Sequence, residues 1–229
     1  ATYAGRLLRG WGGIRTWASE PVMTAQVYLR GAREGACEAV AAAREEIEGL
    51  IEAALPSLCG RGGGLRDIEA LLLPRTGLLR VHLHIDVRDA MGANILDTAA
   101  EAARGLLERL SGGRVLMGVL TNAAARRLAG ASFSLGEDAL ATEEAKGAEV
   151  ADRIVLASAL AQEDPTRAVT HNKGIMNAVA ALALATGNDT RAVEAAAHAW
   201  ACRDGACRGL SVYSRRGGRL EGRLEMPLP

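Results

Sequence analysis

Apolar and polar positions change period along this 229-residue chain, and the changes divide it into elements. Residues 1–10 read as a short helix, followed by a Gly12-Gly13 break and an extended piece ending at Pro21. Met23–Leu29 alternates like a strand. Arg33–Leu55 repeats apolar residues at helical spacing (Val40, Ile47, Leu50, Ile51, Ala54) and stops before Pro56, after which the glycines at 60 and 62–64 predict a turn. Leu65–Leu73 and Leu78–Val87 are strands joined by the hairpin tetrapeptide Pro74-Arg75-Thr76-Gly77. In the second of them Val81, Leu83, Ile85 and Val87 share one face, and His82, His84 and Asp86 share the other, which is expected to face solvent.

Met91–Leu110 is amphipathic at helical period and ends at Ser111-Gly112-Gly113, and Val115–Leu120 is a fourth strand. The order β-α-β-β-α-β is the ferredoxin-like pattern, so residues 23–121 are expected to form a compact α+β insert. Beyond residue 121 helices dominate. A short strand at 131–135 precedes helices over about 141–162, 169–185 and 189–202, and strands at 210–214 and 219–225 flank Gly217-Gly218 as a hairpin. The predicted fold is α+β, with segments 1–22 and 122–229 forming a mainly helical larger domain around the 23–121 insert.

Composition narrows the function. Hydrophobic residues make up 49% of the chain but aromatics only 3%, so Ala, Leu, Val and Ile must fill the interior. Lys and Arg number 27 and Asp and Glu 27, a balance that argues against bulk attraction to nucleic acid or anionic membrane. Tyr28 is the only aromatic side chain of the insert, which leaves no stacking platform for RNA. No apolar run reaches the length of a membrane span, and no secretory leader precedes the first helix, so a cytoplasmic, membrane-free protein is expected. Cys37, Cys59, Cys202 and Cys207 fit no zinc or redox spacing, nor do the four histidines, and no metal is expected.

Three segments carry candidate chemistry. In Thr170-His171-Asn172-Lys173-Gly174-Ile175-Met176-Asn177 a lysine stands at the expected start of an apolar helix. Read alone it is either a solvated charge or a cation placed to meet a desolvated carbonyl, where its charge counts for more than in water. Asp189 follows sixteen residues later, in Gly187-Asn188-Asp189-Thr190, and reads equally as an N-cap or as a partner for Lys173. Asp89-Ala90-Met91-Gly92-Ala93-Asn94 opens a helix after a strand, where free backbone N–H groups suit a phosphate; it lacks the GxGxxG spacing of a Rossmann turn. Arg167 is an exposed loop arginine or a bidentate partner for a substrate carboxylate.

Taken together, these segments resemble the bacterial class II 3-hydroxy-3-methylglutaryl-CoA (HMG-CoA) reductases. The likeness extends through Gly62-Gly63-Gly64-Leu65-Arg66-Asp67-Ile68-Glu69, Glu194–Ala201 and Leu224-Glu225-Met226-Pro227, and covers essentially the whole chain. The resemblance implies NADPH- or NADH-dependent reduction of HMG-CoA to mevalonate and free CoA, or the reverse. It implies catalytic roles for Lys173 and Asp189, in hydrogen-bond reach of each other or one water apart. Asp89, Met91, Gly92 and Asn94 would contact the dinucleotide, and Arg167, Asn177, Asn122 and Thr170 the acyl substrate. A homodimer is implied, with Lys173 and Asp89 of different chains meeting at one site. The family's catalytic glutamate and histidine are expected outside these 229 residues, so the chain reads as an internal piece, inactive in isolation. The alternative is a truncated protein that binds dinucleotide or acyl-CoA without turnover. Cofactor choice is expected to turn on Leu55, a neutral residue where an acidic one would repel a 2′-phosphate, with Glu52 and Arg61 nearby; NADPH is expected to be accepted.

Overall fold

The computed structural model describes residues 2–229. In chain order the elements are α1 (Thr2–Arg9), β1 (Arg15–Ala18), β2 (Val22–Arg30), α2 (Ala36–Ala42), α3 (Arg44–Ala54), α4 (Pro56–Cys59), β3 (Gly64–Leu72), β4 (Leu79–Asp86), α5 (Ala93–Ser111), β5 (Arg114–Thr121), β6 (Leu128–Gly136), α6 (Gly147–Glu163), α7 (Pro165–Ala185), α8 (Thr190–Ala201), β7 (Ser211–Arg216) and β8 (Arg219–Pro227). The fold is α+β, with two four-stranded antiparallel sheets. The chain divides into two compact units. One comprises residues 20–127 and the other residues 1–19 with 128–228. The second unit closes on itself where the chain leaves and returns: Ser19 N–H donates to Leu128 O at 2.8 Å, and Leu128 N–H to Ser19 Oγ at 2.8 Å. The sequence pattern puts these divisions at 22/23 and 121/122, a few residues inside the observed ones.

In the unit of residues 20–127 the strand order is β3-β4-β2-β5. Val27, Val81, Leu83 and Ile85 are fully buried on the face that receives the helices, together with Ile47, Ile51, Leu96 and Leu107. The single helix expected over 33–55 is two: the chain breaks at Ala43 (φ −92°, ψ 22°), and both halves pack against α5 and β3. The other sheet face differs from the expectation of a solvated surface. His84 and Asp86 are 4% and 2% exposed, and His82 is half-buried. Burial, reinforced by Arg80, pushes His82 down to about 4 and also lowers His84, so both imidazoles are neutral near pH 7.

The other unit lays α6, α7 and α8 against a sheet of order β1-β6-β8-β7. Met176, Val193, Ala197, Leu210 and Met226 form one core cluster; Leu135, Ala151 and Leu220, with Leu8, form another. Helices make up about half of the unit rather than most of it, and the strands that read as separate pieces in the sequence form one continuous sheet. The helix expected from residue 141 starts only at Gly147. Before it, the Thr142 hydroxyl accepts from Glu144 and Ala145 N–H, a local turn that competes with helix. Among the described residues, no helix is long and apolar enough to cross a membrane.

Candidate functional site

The rotation of α7 about its axis decides where its polar residues point. Asp164 caps the helix, its Oδ1 accepting from Thr166 N–H at 2.8 Å, and Pro165 occupies the first turn, where a missing N–H costs nothing. Ala168, Asn172 and Met176 then recur at helical spacing and are buried. Asn172 is the anchor. Its amide donates to Arg208 O at 2.8 Å and accepts from Leu210 N–H at 2.8 Å, satisfying both functions against the loop before β7. The neighbouring His171 Nε2 lies 2.8 Å from Ser211 Oγ, and burial lowers its pKa.

With that phase fixed, Arg167, Thr170, Lys173 and Asn177 all emerge on the opposite, exposed side of α7. Three of the four stand i, i+3, i+7 (170, 173, 177), so they form one row along the axis. Lys173 lies two turns inside the helix rather than at its start, beyond the reach of the unfavourable N-terminal dipole. Asp189 caps α8: its Oδ1 accepts from Arg191 N–H at 3.0 Å and Ala192 N–H at 3.1 Å, and lies 3.7 Å from Arg191 Nε. The Ala192 N–H bond is the main reason its carboxyl is held below the usual range. Among the described residues Lys173 forms no ion pair, so a direct Lys173–Asp189 bond is absent. The cap already engages Oδ1, and the row of which Lys173 is part is open to an incoming ligand.

In the other unit the segment 87–94 is a tight turn between β4 and α5. Arg88 adopts φ 55°, held by its own N–H to Asp86 Oδ1 (2.9 Å) and by Nη1 to Asp86 Oδ2 (3.0 Å). Burial alone would raise the Asp86 carboxyl. The Arg88 N–H and the Arg66 and Arg88 guanidiniums outweigh it and hold the group anionic. Gly92, at φ 99°, precedes the helix, and a Cβ there would stand 2.9 Å from Val87 Cγ1. It brings no side-chain cap and the first turn of α5 holds no acidic residue, so the leading N–H groups of a 19-residue helix lack a side-chain partner. Asp89 and Asn94 are exposed beside them, and Met91 is half-buried.

The Gly62–Gly64 turn lies against this one. Arg66 Nη2 and Arg88 Nη1 both reach Gly62 O, at 2.7 and 3.4 Å, and a Cβ on Gly63 would meet Asp86 O at 2.7 Å. Two glycine turns, a helix N-terminus and the exposed Arg61 and Arg88 therefore form one anion-friendly surface. Arg127, missed in the sequence, braces it by donating to Ala90 O at 2.8 Å from 37 residues away, a separation no local pattern signals. Asn122 is exposed just past the end of β5, in the same unit as the turn and not in that of Lys173. A cavity of about 890 Å³ in the unit of residues 1–19 and 128–228, rich in arginine, is lined by none of the candidate catalytic, cofactor or substrate residues.

Comparison with known proteins identifies the family. A profile of the hydroxymethylglutaryl-coenzyme A reductase family matches residues 1–229. The 3-hydroxy-3-methylglutaryl-coenzyme A reductase of Archaeoglobus fulgidus is 39% identical over 234 residues, which cover 100% of this chain and 52% of that protein. A probable reductase of the same name from Borreliella burgdorferi is 34% identical over 184 residues, 80% of this chain and 43% of that protein. Among solved structures, the Streptococcus pneumoniae reductase matches with a TM-score of 0.95 and 41% identity, covering 100% of this chain and 63% of that one. A class II reductase from the same organism, bound to NADPH in open conformations, gives a TM-score of 0.95 at 40% identity, again covering 100% of this chain and 63% of that one. The chain spans about half the length of the curated relatives it matches. It belongs to the hydroxymethylglutaryl-coenzyme A reductase family.

Proposed function

We propose that this chain supplies the dinucleotide-binding turn and the oxyanion-stabilising lysine of an NAD(P)H-dependent reductase that converts HMG-CoA to mevalonate and CoA. The observation that carries the reading is the outward row on α7, which leaves Lys173 exposed and without a carboxylate partner among the described residues, in a chain that matches the family profile along its whole length. The dinucleotide supplies hydride. As hydride reaches the thioester carbonyl carbon, negative charge grows on the carbonyl oxygen, and the Lys173 ammonium stabilises it. Asp189 acts on Lys173 through one bridging water, its Oδ2 being the oxygen that the α8 cap does not use. Collapse of the hemithioacetal oxyanion re-forms the carbonyl and breaks the C–S bond, releasing CoA thiolate, which takes a proton from water. Lys173 serves again when a second hydride reduces the aldehyde to an alkoxide, which is protonated in turn. Thr170 and Asn177 bond the acyl group along the same row, and Arg167 pairs with its carboxylate.

The anion-friendly surface of the 20–127 unit receives the pyrophosphate at the α5 N-terminus, with Asp89, Met91, Gly92 and Asn94 around it. Strand order β3-β4-β2-β5 with helices on one face supports a ferredoxin-like unit inserted in a substrate-binding one. The neutral, partly buried Leu55 and the exposed Arg61 favour the 2′-phosphate of NADPH. NADPH is accepted, at a cytoplasmic location. Asn122 joins the substrate site from a second copy, in a homodimer. The exposed Leu182 and Leu184 on α7 and Leu156 and Leu160 on α6 support such an assembly by leaving apolar surface to cover.

The test is stoichiometric. With the protein as its gene encodes it, HMG-CoA should drive oxidation of two NADPH for each mevalonate and each free thiol formed. NADPH that binds but is not oxidised, or oxidation without mevalonate, would overturn the assignment.

A further inference from the structure

The sheet face of the 20–127 unit that lies opposite its helices carries a second constellation, which the reductase reading does not use. His82 and His84 stand two apart on β4, and Glu69 faces them from β3, where it pairs with His82 in the strand register. The ligand-capable atoms of the three side chains all lie within 4.8 Å of one another. His84 Nε2 is 3.2 Å from Glu69 Oε1, and His82 Nδ1 is 3.8 Å from Glu69 Oε2. Nitrogen and oxygen ligands about 2.0–2.1 Å from a tetrahedral zinc stand roughly 3.3 Å apart, so the His84–Glu69 pair has the spacing of zinc ligands and the wider His82–Glu69 pair closes to it by side-chain rotation.

Each imidazole is also oriented from behind. His84 Nδ1 is 2.9 Å from Thr24 Oγ1, and His82 Nε2 is 2.8 Å from the Gln26 amide nitrogen. Both partners come from β2, on the far side of β4 from Glu69. This is the outer-shell pattern of metal-bound histidine, in which one ring nitrogen is held by a hydrogen bond and the other aims inward. Turning the Gln26 amide over lets His82 Nε2–H donate to its oxygen and leaves the Nδ1 lone pair facing Glu69.

One polar atom has no explanation in the ion pairs alone. His84 is 4% exposed, and its Nε2 has no hydrogen-bond partner, since Glu69 Oε1 lies close but off the line of a bond. A buried imidazole nitrogen left unsatisfied keeps the full cost of its desolvation. If Nδ1–H donates to Thr24, the Nε2 lone pair faces a carboxylate oxygen, an arrangement that a cation between them converts from repulsion to ligation. Arg126 bonds Glu69 Oε1 and Asp67 Oδ2, and its charge bears on both imidazoles, so an entering cation displaces the guanidinium from Glu69.

We propose that Glu69, His82 and His84 form a divalent transition-metal site, selective for Zn²⁺ and its imidazole-binding neighbours, that clasps β3 to β4. Three protein ligands leave the fourth position to water. Sequence spacing conceals the site because the third ligand comes from the adjacent strand.

The test titrates the purified full chain, after alkylation of its four cysteines, with Co²⁺ and then Zn²⁺. The expected result is one equivalent of Co²⁺ with tetrahedral ligand-field bands and no thiolate charge-transfer band, displaced by one equivalent of Zn²⁺, with a higher melting temperature of the 20–127 unit. Glu69→Gln and His82→Gln alter partly exposed side chains and should each weaken binding at least about tenfold while the far-ultraviolet circular dichroism stays unchanged. His84→Ala should abolish binding; because His84 is buried, the first two variants carry the test if that one misfolds. No stoichiometric Co²⁺, or equal affinity in wild type, Glu69→Gln and His82→Gln, would overturn the site.

Discussion

Asn172→Ala tests whether one buried amide sets the face that α7 presents. Asn172 has no solvent exposure, and truncation removes two hydrogen bonds of 2.8 Å each. The two losses are unequal. Leu210 is 7% exposed, so its N–H stays buried without a partner, at about 1–3 kcal/mol, whereas Arg208 is exposed and its carbonyl can rehydrate, at about 0.5–1.5 kcal/mol. Ala is the better helix former by roughly half a kcal/mol, which offsets part of this. The net loss should be about 1–4 kcal/mol. Trp11, Trp17 and Trp200, the only tryptophans, all belong to the unit of residues 1–19 and 128–228, so tryptophan fluorescence in urea reads that unit alone. Asn177→Ala, on the exposed face of the same helix, is the control and should change stability by no more than about 0.5 kcal/mol. If Asn172→Ala matches the control, the anchoring argument is refuted.

Other consequences can be checked the same way. Gly92→Ala places a Cβ 2.9 Å from Val87 Cγ1 at φ 99° and should cost about 1–3 kcal/mol. Because residues 20–127 hold no tryptophan, the loss should shift the circular-dichroism transition and leave the fluorescence one in place, and NADPH titrated onto the variant should bind more weakly. Asp164 is held below its ordinary 3.8 chiefly by the Thr166 hydroxyl, and Asp189 below 3.8 chiefly by Ala192 N–H. Folded values lower than unfolded ones mean stability that is fully present above pH 3.8 and lost as pH falls through the folded values. The fluorescence-monitored stability should fall over that acid range, and less steeply in Asp164→Asn/Asp189→Asn, where the caps remain but do not titrate; an unchanged slope would remove these carboxyls from the acid response.

The order of elements was legible because hydrophobic period and turn residues are local. Pro56, Pro74, Pro165 and the glycine clusters mark ends that the structure keeps to within a few residues, and Asp189 sits where N-cap chemistry puts it. The break at Ala43 was hidden because Val40, Ile47 and Ile51 keep one period across it. Long-range placement was not legible either: Arg127 on Ala90 O, Asn172 on the 208–210 loop and Glu69 opposite His82 depend on pairing that no local window contains. Asn172 did carry a signal, since an asparagine inside an apolar helix is unfavourable unless something outside the helix holds its amide. Lys173 was found through its motif, but its position two turns into α7 rather than at the start depended on Asp164 and Pro165 beginning the helix four residues earlier than its apolar period does.

The central claim, that Lys173 acts on the developing oxyanion and not on folding, is tested most directly by the steady-state kinetics of Lys173→Ala in the protein as its gene encodes it. NADPH oxidation driven by HMG-CoA should lose about a hundred- to a thousandfold in kcat. KM for HMG-CoA and the fluorescence-monitored urea midpoint should barely move, because the side chain is exposed and unpaired among the described residues. A variant that keeps its turnover, or that loses it only together with its stability, would contradict the account.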